Sequence, residues 1–231
     1  MDTAVPLESG AVQLSPRLPL ATGDPAELIV EGLYLGNIRD SEDKENLAKH
    51  GITHILSVHN NTKPGLEDMT YLCISASDSS NQNLMQHFKE CIKFVHECRL
   101  RGGSCLIHCL AGVSRSTTLL VAYLMTVTNF GWEECLAAIK TIRSYVSPNF
   151  GFQQQLQDYE KTLLKEYRAW IRQEYGKNPF NDQEELQCLL SQHEEKAKEK
   201  QIGRRETNWI NAPSPTGPLS HNAFASSTSS R

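Results

Sequence analysis

The sequence predicts an α/β domain in which a central, mostly parallel sheet is flanked by helices, with a disordered tail at each end. Three observations favour this fold. Short apolar runs alternate with segments of helical periodicity, one helical segment is apolar nearly all round, and both ends of the chain are rich in Ser and Pro. The 231 residues suffice for one such domain with a substantial core.

Strands and helices are predicted to alternate along the chain. Strand regions are expected at residues 28–36, 52–58, 70–76 and 104–108. Helices are expected at residues 41–50, 84–100, 116–129, 132–143, 149–167 and 183–200. Ser41 is the expected N-cap of the first helix, and Gly51 ends it. The apolar helix after residue 115 belongs at the centre of the core.

These elements divide the chain into four parts. We expect a flexible arm at residues 1–26, one α/β domain at 27–180, an amphipathic helix at 181–200 and a disordered tail at 201–231.

Charge and cysteine content exclude several classes of function. The net charge of −4 gives no overall basic field for nucleic acid or an anionic membrane, so any anion must be held by a local site. The seven cysteines lack C-x-x-C and paired His/Cys spacing, which predicts free thiols, no metal and no cofactor. Without a long apolar run, the chain is expected in the cytoplasm, with the nucleus as an alternative.

The segment IHCLAGVSRSTTLLVAYLM at residues 107–125 carries the chemistry. A strand ends at His108, a loop runs from Cys109 to Arg115, and an apolar helix follows. Loop N–H groups and a helix N-terminus bind phosphate, Gly112 permits the tight turn, and Arg115 can grip two phosphate oxygens. The same field favours the Cys109 thiolate, which is the nucleophilic form.

The string HCLAGVSRS matches the signature loop of protein tyrosine phosphatases in its dual-specificity form. The resemblance covers residues 28–180 and includes EGLYLGN, ITHILSV and SPNFGFQQQL. The stretches YLMTVTNFGWEE and RQEYGKNPFNDQEEL are similar to the atypical subgroup of JNK-pathway-associated and VH1-like Y phosphatases.

This resemblance implies a role for each position of the loop. Cys109 attacks phosphorus, Arg115 binds the phosphoryl oxygens, and Ser116 assists breakdown of the cysteinyl-phosphate. His108 orders the loop. From the residues alone, a core histidine is the alternative role for His108, and a first-turn helix residue is the alternative for Ser116. The substrate-binding positions are Leu110, Ala111, Gly112, Val113, Ser114, Arg115 and Asn149. Asn149 also fits a plain helix cap.

The leaving oxygen needs a proton, and Asp78 is the expected donor. It lies on a polar loop 31 residues before Cys109, where the family carries its acid. A helix cap is the alternative role for Asp78, and Asp68 is the alternative acid.

No variable loop position is basic, which favours phosphoprotein substrates over phosphoinositides. Phosphotyrosine is expected first, with phosphoserine and phosphothreonine as further substrates and kinase-pathway proteins as partners. Two other classes stay open. One is a phosphoresidue-binding scaffold with little turnover. The other is a thiol redox or sulfur-transfer protein, in which oxidised Cys109 pairs with Cys105 or Cys73.

The amino terminus departs from the subgroup. Close relatives begin Met-Gly and are myristoylated, whereas this sequence begins Met1-Asp2-Thr3. We therefore expect no stable membrane anchor from this start.

Overall fold

The computed structural model describes the backbone of residues 25–210 and the side chains as far as Lys198. Most of the predicted arm and the end of the predicted tail lie outside the described residues. Along the described helices, no segment is both long and apolar enough to cross a bilayer.

A five-stranded sheet forms the centre of the domain. The strands are β1 (Glu27–Val30), β2 (Leu33–Gly36), β3 (Ile52–Val58), β4 (Thr70–Ile74) and β5 (Ser104–His108). Their order across the sheet is β1-β2-β5-β3-β4. Only the β1–β2 pair within this sheet is antiparallel, so the predicted mostly parallel α/β fold is confirmed. The predicted strand region at 28–36 is a hairpin that turns at Gly32, whose φ is +71°.

Seven helices surround the sheet in the described part of the chain. They are α1 (Lys44–Lys49), α2 (Phe88–Leu100), α3 (Arg115–Val127), α4 (Trp132–Ile142), α5 (Phe150–Thr162), α6 (Leu164–Tyr175) and α7 (Asp182–Ile210). Helix α3 is buried along nearly its whole length, as its apolar sequence predicts, and contacts α2, α4, α5 and α6. Helix α1 covers the other face of the sheet through Leu47.

Three helix boundaries differ from the prediction. Asp43, not Ser41, caps α1, because the Ser41 hydroxyl donates to the Ile38 carbonyl in the preceding turn. The predicted helix at 149–167 is two helices that meet at Leu163. Helix α7 continues to Ile210, ten residues past the predicted end at 200 and into the segment that was expected to be disordered.

Helix α7 is attached to the domain by a buried ion pair at its first residue. Arg99 of α2 donates to both Asp182 carboxylate oxygens, at 2.7 and 3.0 Å, and neither side chain is exposed. Leu186 packs into the core one turn later. The first turns of α7 are therefore part of the folded domain.

Candidate active site

The loop that carries Cys109 lies at the carboxyl end of β5, the central strand, where parallel sheets place their binding sites. Gly112 adopts a φ of +68°, and its N–H donates to Cys109 Sγ at 3.2 Å. A Cβ at residue 112 would lie 2.5 Å from the Gly36 carbonyl oxygen. Both the backbone angle and the close packing against β2 therefore require glycine at this position.

Neighbouring segments hold the loop carbonyls outward. The Leu110 carbonyl accepts from the Ile38 N–H at 3.3 Å, and the Val113 carbonyl accepts from the Ser147 N–H at 2.9 Å. In a planar trans peptide the N–H points opposite to the C=O. The N–H groups that follow these carbonyls consequently face the inside of the loop, where an anion would bind.

The sulfur of Cys109 is buried and surrounded by hydrogen-bond donors. Ser116 Oγ, in the first turn of α3, donates to Sγ at 3.2 Å. Burial raises the pKa of the Cys109 thiol. The Ser116 hydroxyl and the N–H groups of Ser116, Val113 and Gly112 outweigh it and bring the pKa below its ordinary value. The site is therefore built for a thiolate.

The guanidinium of Arg115 is buried beside the loop. Its Nη1 donates to the Ala76 carbonyl at 3.1 Å and to Asn60 Oδ1 at 3.5 Å. Among the described residues, its Nε has no hydrogen-bond partner and lies 3.8 Å from Asp78 Oδ2. A buried cationic donor of this kind is suited to an anionic ligand.

Asp78 is fixed at the rim of the loop. Its Oδ1 accepts from Ser114 Oγ at 2.7 Å and from Asn149 Nδ2 at 2.8 Å, while the side chain remains about a third exposed. Asn149 also caps α5, since its Oδ1 accepts from the Phe152 N–H at 3.0 Å. The alternative acid, Asp68, is exposed and precedes β4, so it lies at the opposite end of the sheet.

His108 is buried behind the cysteine. Burial lowers the pKa of its imidazole to about 4, partly offset by its hydrogen bond to Cys109, so the ring is neutral. Its Nδ1 lies 3.3 Å from the Cys109 carbonyl oxygen. A carbonyl can only accept, which places the ring proton on Nδ1.

The remaining loop positions differ in exposure. Leu110 and Ala111 face solvent, Val113 is half-buried, and Ser114 is buried. Ser114 Oγ also accepts from the Asn149 N–H at 3.1 Å, so one hydroxyl joins the loop, Asp78 and α5. The sequence did not predict this link, the Asn60 contact, or exposed Phe150 beside Asn149. No local sequence signal identifies the link or the Asn60 contact, because each joins residues far apart in the chain. The exposure of Phe150 depends on how α5 packs against the domain.

The proposed disulfide partners of Cys109 are out of reach. Cys105 is in β5, four residues before Cys109 along an extended chain, which places it about 13 Å away. Cys73 is in β4, and β3 lies between it and His108, the residue before Cys109. Cys73 is therefore two strands, or roughly 9–10 Å, from His108. Both separations exceed the span of a disulfide, so neither pair can form without movement of the backbone. Within the described residues, no group of three His, Cys, Asp or Glu side chains could hold a metal ion.

Comparisons with known proteins point to one family. Residues 33–162 match the dual specificity phosphatase catalytic domain. Dual specificity protein phosphatase 22-A of Danio rerio is 57% identical over 209 residues, which cover 90% of this chain and all of that protein. The Homo sapiens dual specificity protein phosphatase 22 is 56% identical over 169 residues, or 73% of this chain and 92% of that one. A crystal structure of DUSP15 is 44% identical with a TM-score of 0.65, covering 68% of this chain and all of that chain.

Proposed function

The chain belongs to the dual-specificity phosphatase family, and on this premise we propose that Cys109, Arg115 and Asp78 carry its reaction. The protein is a cysteine-dependent phosphatase that acts on phosphorylated proteins. One observation supports the residue roles above all. Cys109 Sγ accepts hydrogen bonds from Gly112 and Ser116 beside the buried Nε of Arg115, which has no hydrogen-bond partner within the described part of the chain.

In the first step the thiolate of Cys109 attacks the phosphorus of the phosphoresidue. An S–P bond forms as the P–O bond to the tyrosine, serine or threonine oxygen breaks. The carboxyl group of Asp78 gives its proton to that leaving oxygen. Arg115 and the inward N–H groups stabilise the charge on the three equatorial oxygens of the phosphoryl group.

In the second step water hydrolyses the cysteinyl-phosphate. The Asp78 carboxylate takes a proton from the water, the new P–O bond forms, and the S–P bond breaks. Inorganic phosphate leaves, and the electron pair returns to sulfur. Ser116 Oγ donates to the departing thiolate, which stabilises the leaving group of this step.

The rim of the site suits a phosphotyrosine side chain. Leu110, which follows Cys109, is half exposed, and Phe150, which follows the Asp78 partner Asn149, is 77% exposed. Apolar surface at this rim can contact an aromatic ring, whereas phosphoserine and phosphothreonine offer less area. Phosphotyrosine is accordingly the preferred substrate in this proposal, with the other two hydrolysed more slowly.

The resemblance to the JNK-pathway-associated subgroup supports phosphorylated kinase-pathway proteins as the partners. Together with the composition, it supports action in the cytoplasm or nucleus. The partner assignment is tested by a pull-down with Asp78→Ala, followed by mapping of the phosphosites in the retained proteins. A set of retained proteins with no kinase-pathway members would contradict the partner assignment.

Phosphate release from matched phosphotyrosyl, phosphothreonyl and phosphoseryl peptides tests the mechanism. We expect Cys109→Ser to abolish release and retain peptide binding, and acid-quenched wild-type protein to carry phosphate on Cys109. The control is Cys188→Ser, which changes an exposed thiol on α7 and should leave turnover intact. Turnover that survives Cys109→Ser would contradict the mechanism. Wild-type binding without release would indicate a phosphoresidue-binding scaffold.

A further inference from the structure

The segment after α4 contains a buried arginine that the reaction described above does not use. Arg143 caps the end of α4, and its side chain has no exposed area. Its Nε donates to the Gly112 carbonyl at 3.3 Å. Its Nη1 lies 3.4 Å from both the Pro25 carbonyl oxygen and Glu27 Oε2 at the start of β1.

This contact fixes the orientation of one particular peptide unit. Because the Gly112–Val113 peptide is planar, a carbonyl held toward Arg143 turns the Val113 N–H the opposite way, toward the inside of the loop. That N–H is one of the groups that favour the Cys109 thiolate. Ser147, four residues after Arg143, holds the next carbonyl, that of Val113, in the same manner.

Stability alone gives no reason for a guanidinium at this position. Removing a charged group from water is unfavourable, and an apolar side chain of similar volume is often as stable or more so. The guanidinium is partly compensated by Glu27 and by the ring of Tyr145, whose centroid is 4.7 Å from Cζ. An apolar side chain could fill the same space, but it could not donate a directed hydrogen bond to Gly112.

We propose that Arg143 is a positioning residue of the phosphatase loop, which holds the Gly112 carbonyl outward so that the Val113 N–H points to Cys109 Sγ. The inference rests on the proposed role of Cys109 as a thiolate nucleophile. Through Pro25 and Glu27, Arg143 also joins the beginning of the domain to the loop, a link between residues more than 80 positions apart.

A pair of substitutions separates the hydrogen bond from the packing. Arg143→Met keeps an unbranched side chain but has no donor. Arg143→Gln places its amide nitrogen at the position along the side chain that Nε occupies, so it can donate to Gly112 without the charge. The matched control is Arg168→Met. Arg168 is part-buried and also donates to backbone carbonyls, those of Met125 and Phe130, on a different side of α3.

The measurements are the pH dependence of Cys109 alkylation by iodoacetamide and the dissociation constant of orthovanadate. For Arg143→Met we expect the alkylation midpoint to rise by about one pH unit and vanadate to bind about tenfold more weakly, the effect of one hydrogen bond to a charged group. Both Arg143 variants remove the same positive charge beside the loop, so the difference between them isolates the hydrogen bond to Gly112. The other charged groups near the loop and near Arg143 are unchanged in every variant: Arg115, Asp78, Asp40 and Glu27. Arg143→Gln should regain most of the loss, and Arg168→Met should leave both quantities at wild-type values.

A folded Arg143→Met protein with wild-type midpoint and vanadate affinity would overturn the proposal, as would an Arg143→Gln protein as impaired as Arg143→Met. If Arg143→Met does not fold, NMR of the wild-type protein tests whether the Val113 N–H points to Cys109 Sγ. The Val113 amide proton must shift as Cys109 ionises, and an amide that does not respond overturns the proposal. An ordinary midpoint in the wild-type protein would instead refute the proposed role of Cys109 itself.

Discussion

Replacement of Ser116 by alanine tests how the site stabilises the thiolate. Ser116 is fully buried, and its hydroxyl donates to Cys109 Sγ at 3.2 Å. A hydrogen bond to a charged group contributes about 1.5–3 kcal/mol. Because about 1.4 kcal/mol corresponds to one pKa unit, Ser116→Ala should raise the thiol pKa by about 1–2 units.

The same substitution should change the kinetics of the two steps unequally. Attack by Cys109 loses rate at neutral pH because less thiolate is present. Hydrolysis of the cysteinyl-phosphate loses the donor that stabilises the departing sulfur, so the intermediate should accumulate. Stopped-flow measurements with p-nitrophenyl phosphate should therefore show a burst of p-nitrophenol larger than that of the wild-type protein.

The neighbouring residue supplies the control. Thr117 is equally buried in the same turn of α3, but among the described residues its hydroxyl has no hydrogen-bond partner. Thr117→Val keeps the shape of the side chain and removes that hydroxyl, so the iodoacetamide profile of Cys109 should stay unchanged. An alkylation midpoint in Ser116→Ala equal to that in Thr117→Val would refute the stabilisation of the thiolate by Ser116.

Three further predictions concern the acid, the turn and the pH dependence of stability. Asp78→Asn should reduce kcat by roughly 100-fold or more for alkyl phosphates and far less for aryl phosphates with good leaving groups; equal losses would remove Asp78 from the acid role. Gly112→Ala should abolish vanadate binding measured by calorimetry, because the added Cβ would meet the Gly36 carbonyl; wild-type affinity would contradict this account of the loop. Burial holds the pKa of His96 at about 4, below its ordinary value near 6.5, so as pH falls between these values only the unfolded chain gains the proton. The free energy of unfolding should then fall by about 1.4 kcal/mol per pH unit for this group. Urea titrations at several pH values should show that the free energy of unfolding depends less on pH in His96→Gln than in the wild-type protein.

Expectations drawn from consecutive residues agree well with the structure. The strands at 52–58 and 104–108 and the helix after the loop are formed by the segments that their periodicity indicates. The start of α1 was assigned to the wrong residue because Ser41 and Asp43 are both good caps. Asp43 is the cap because the Ser41 hydroxyl donates to the Ile38 carbonyl in the preceding turn, a hydrogen bond that the residue types alone do not predict.

The loop was predictable for a local reason. Cys109, Gly112 and Ser116 lie within eight residues, and the sulfur contacts that unite them close within that segment. The partners of Arg115 were not predictable, since Ala76 and Asn60 lie 39 and 55 residues away. Their meeting depends on the parallel pairing of β3, β4 and β5, which no local pattern specifies.

The sequence by itself determined the α/β class and predicted the nucleophile and the phosphate-binding loop, because each follows from the spacing of neighbouring residues. Only the tertiary structure decided that Ser114 joins Asp78 to Asn149 and that Arg143 contacts the Gly112 carbonyl. It also placed Cys105 and Cys73 too far from Cys109 for a disulfide without backbone movement. These contacts depend on strand register and helix packing, which bring together residues that are distant along the chain.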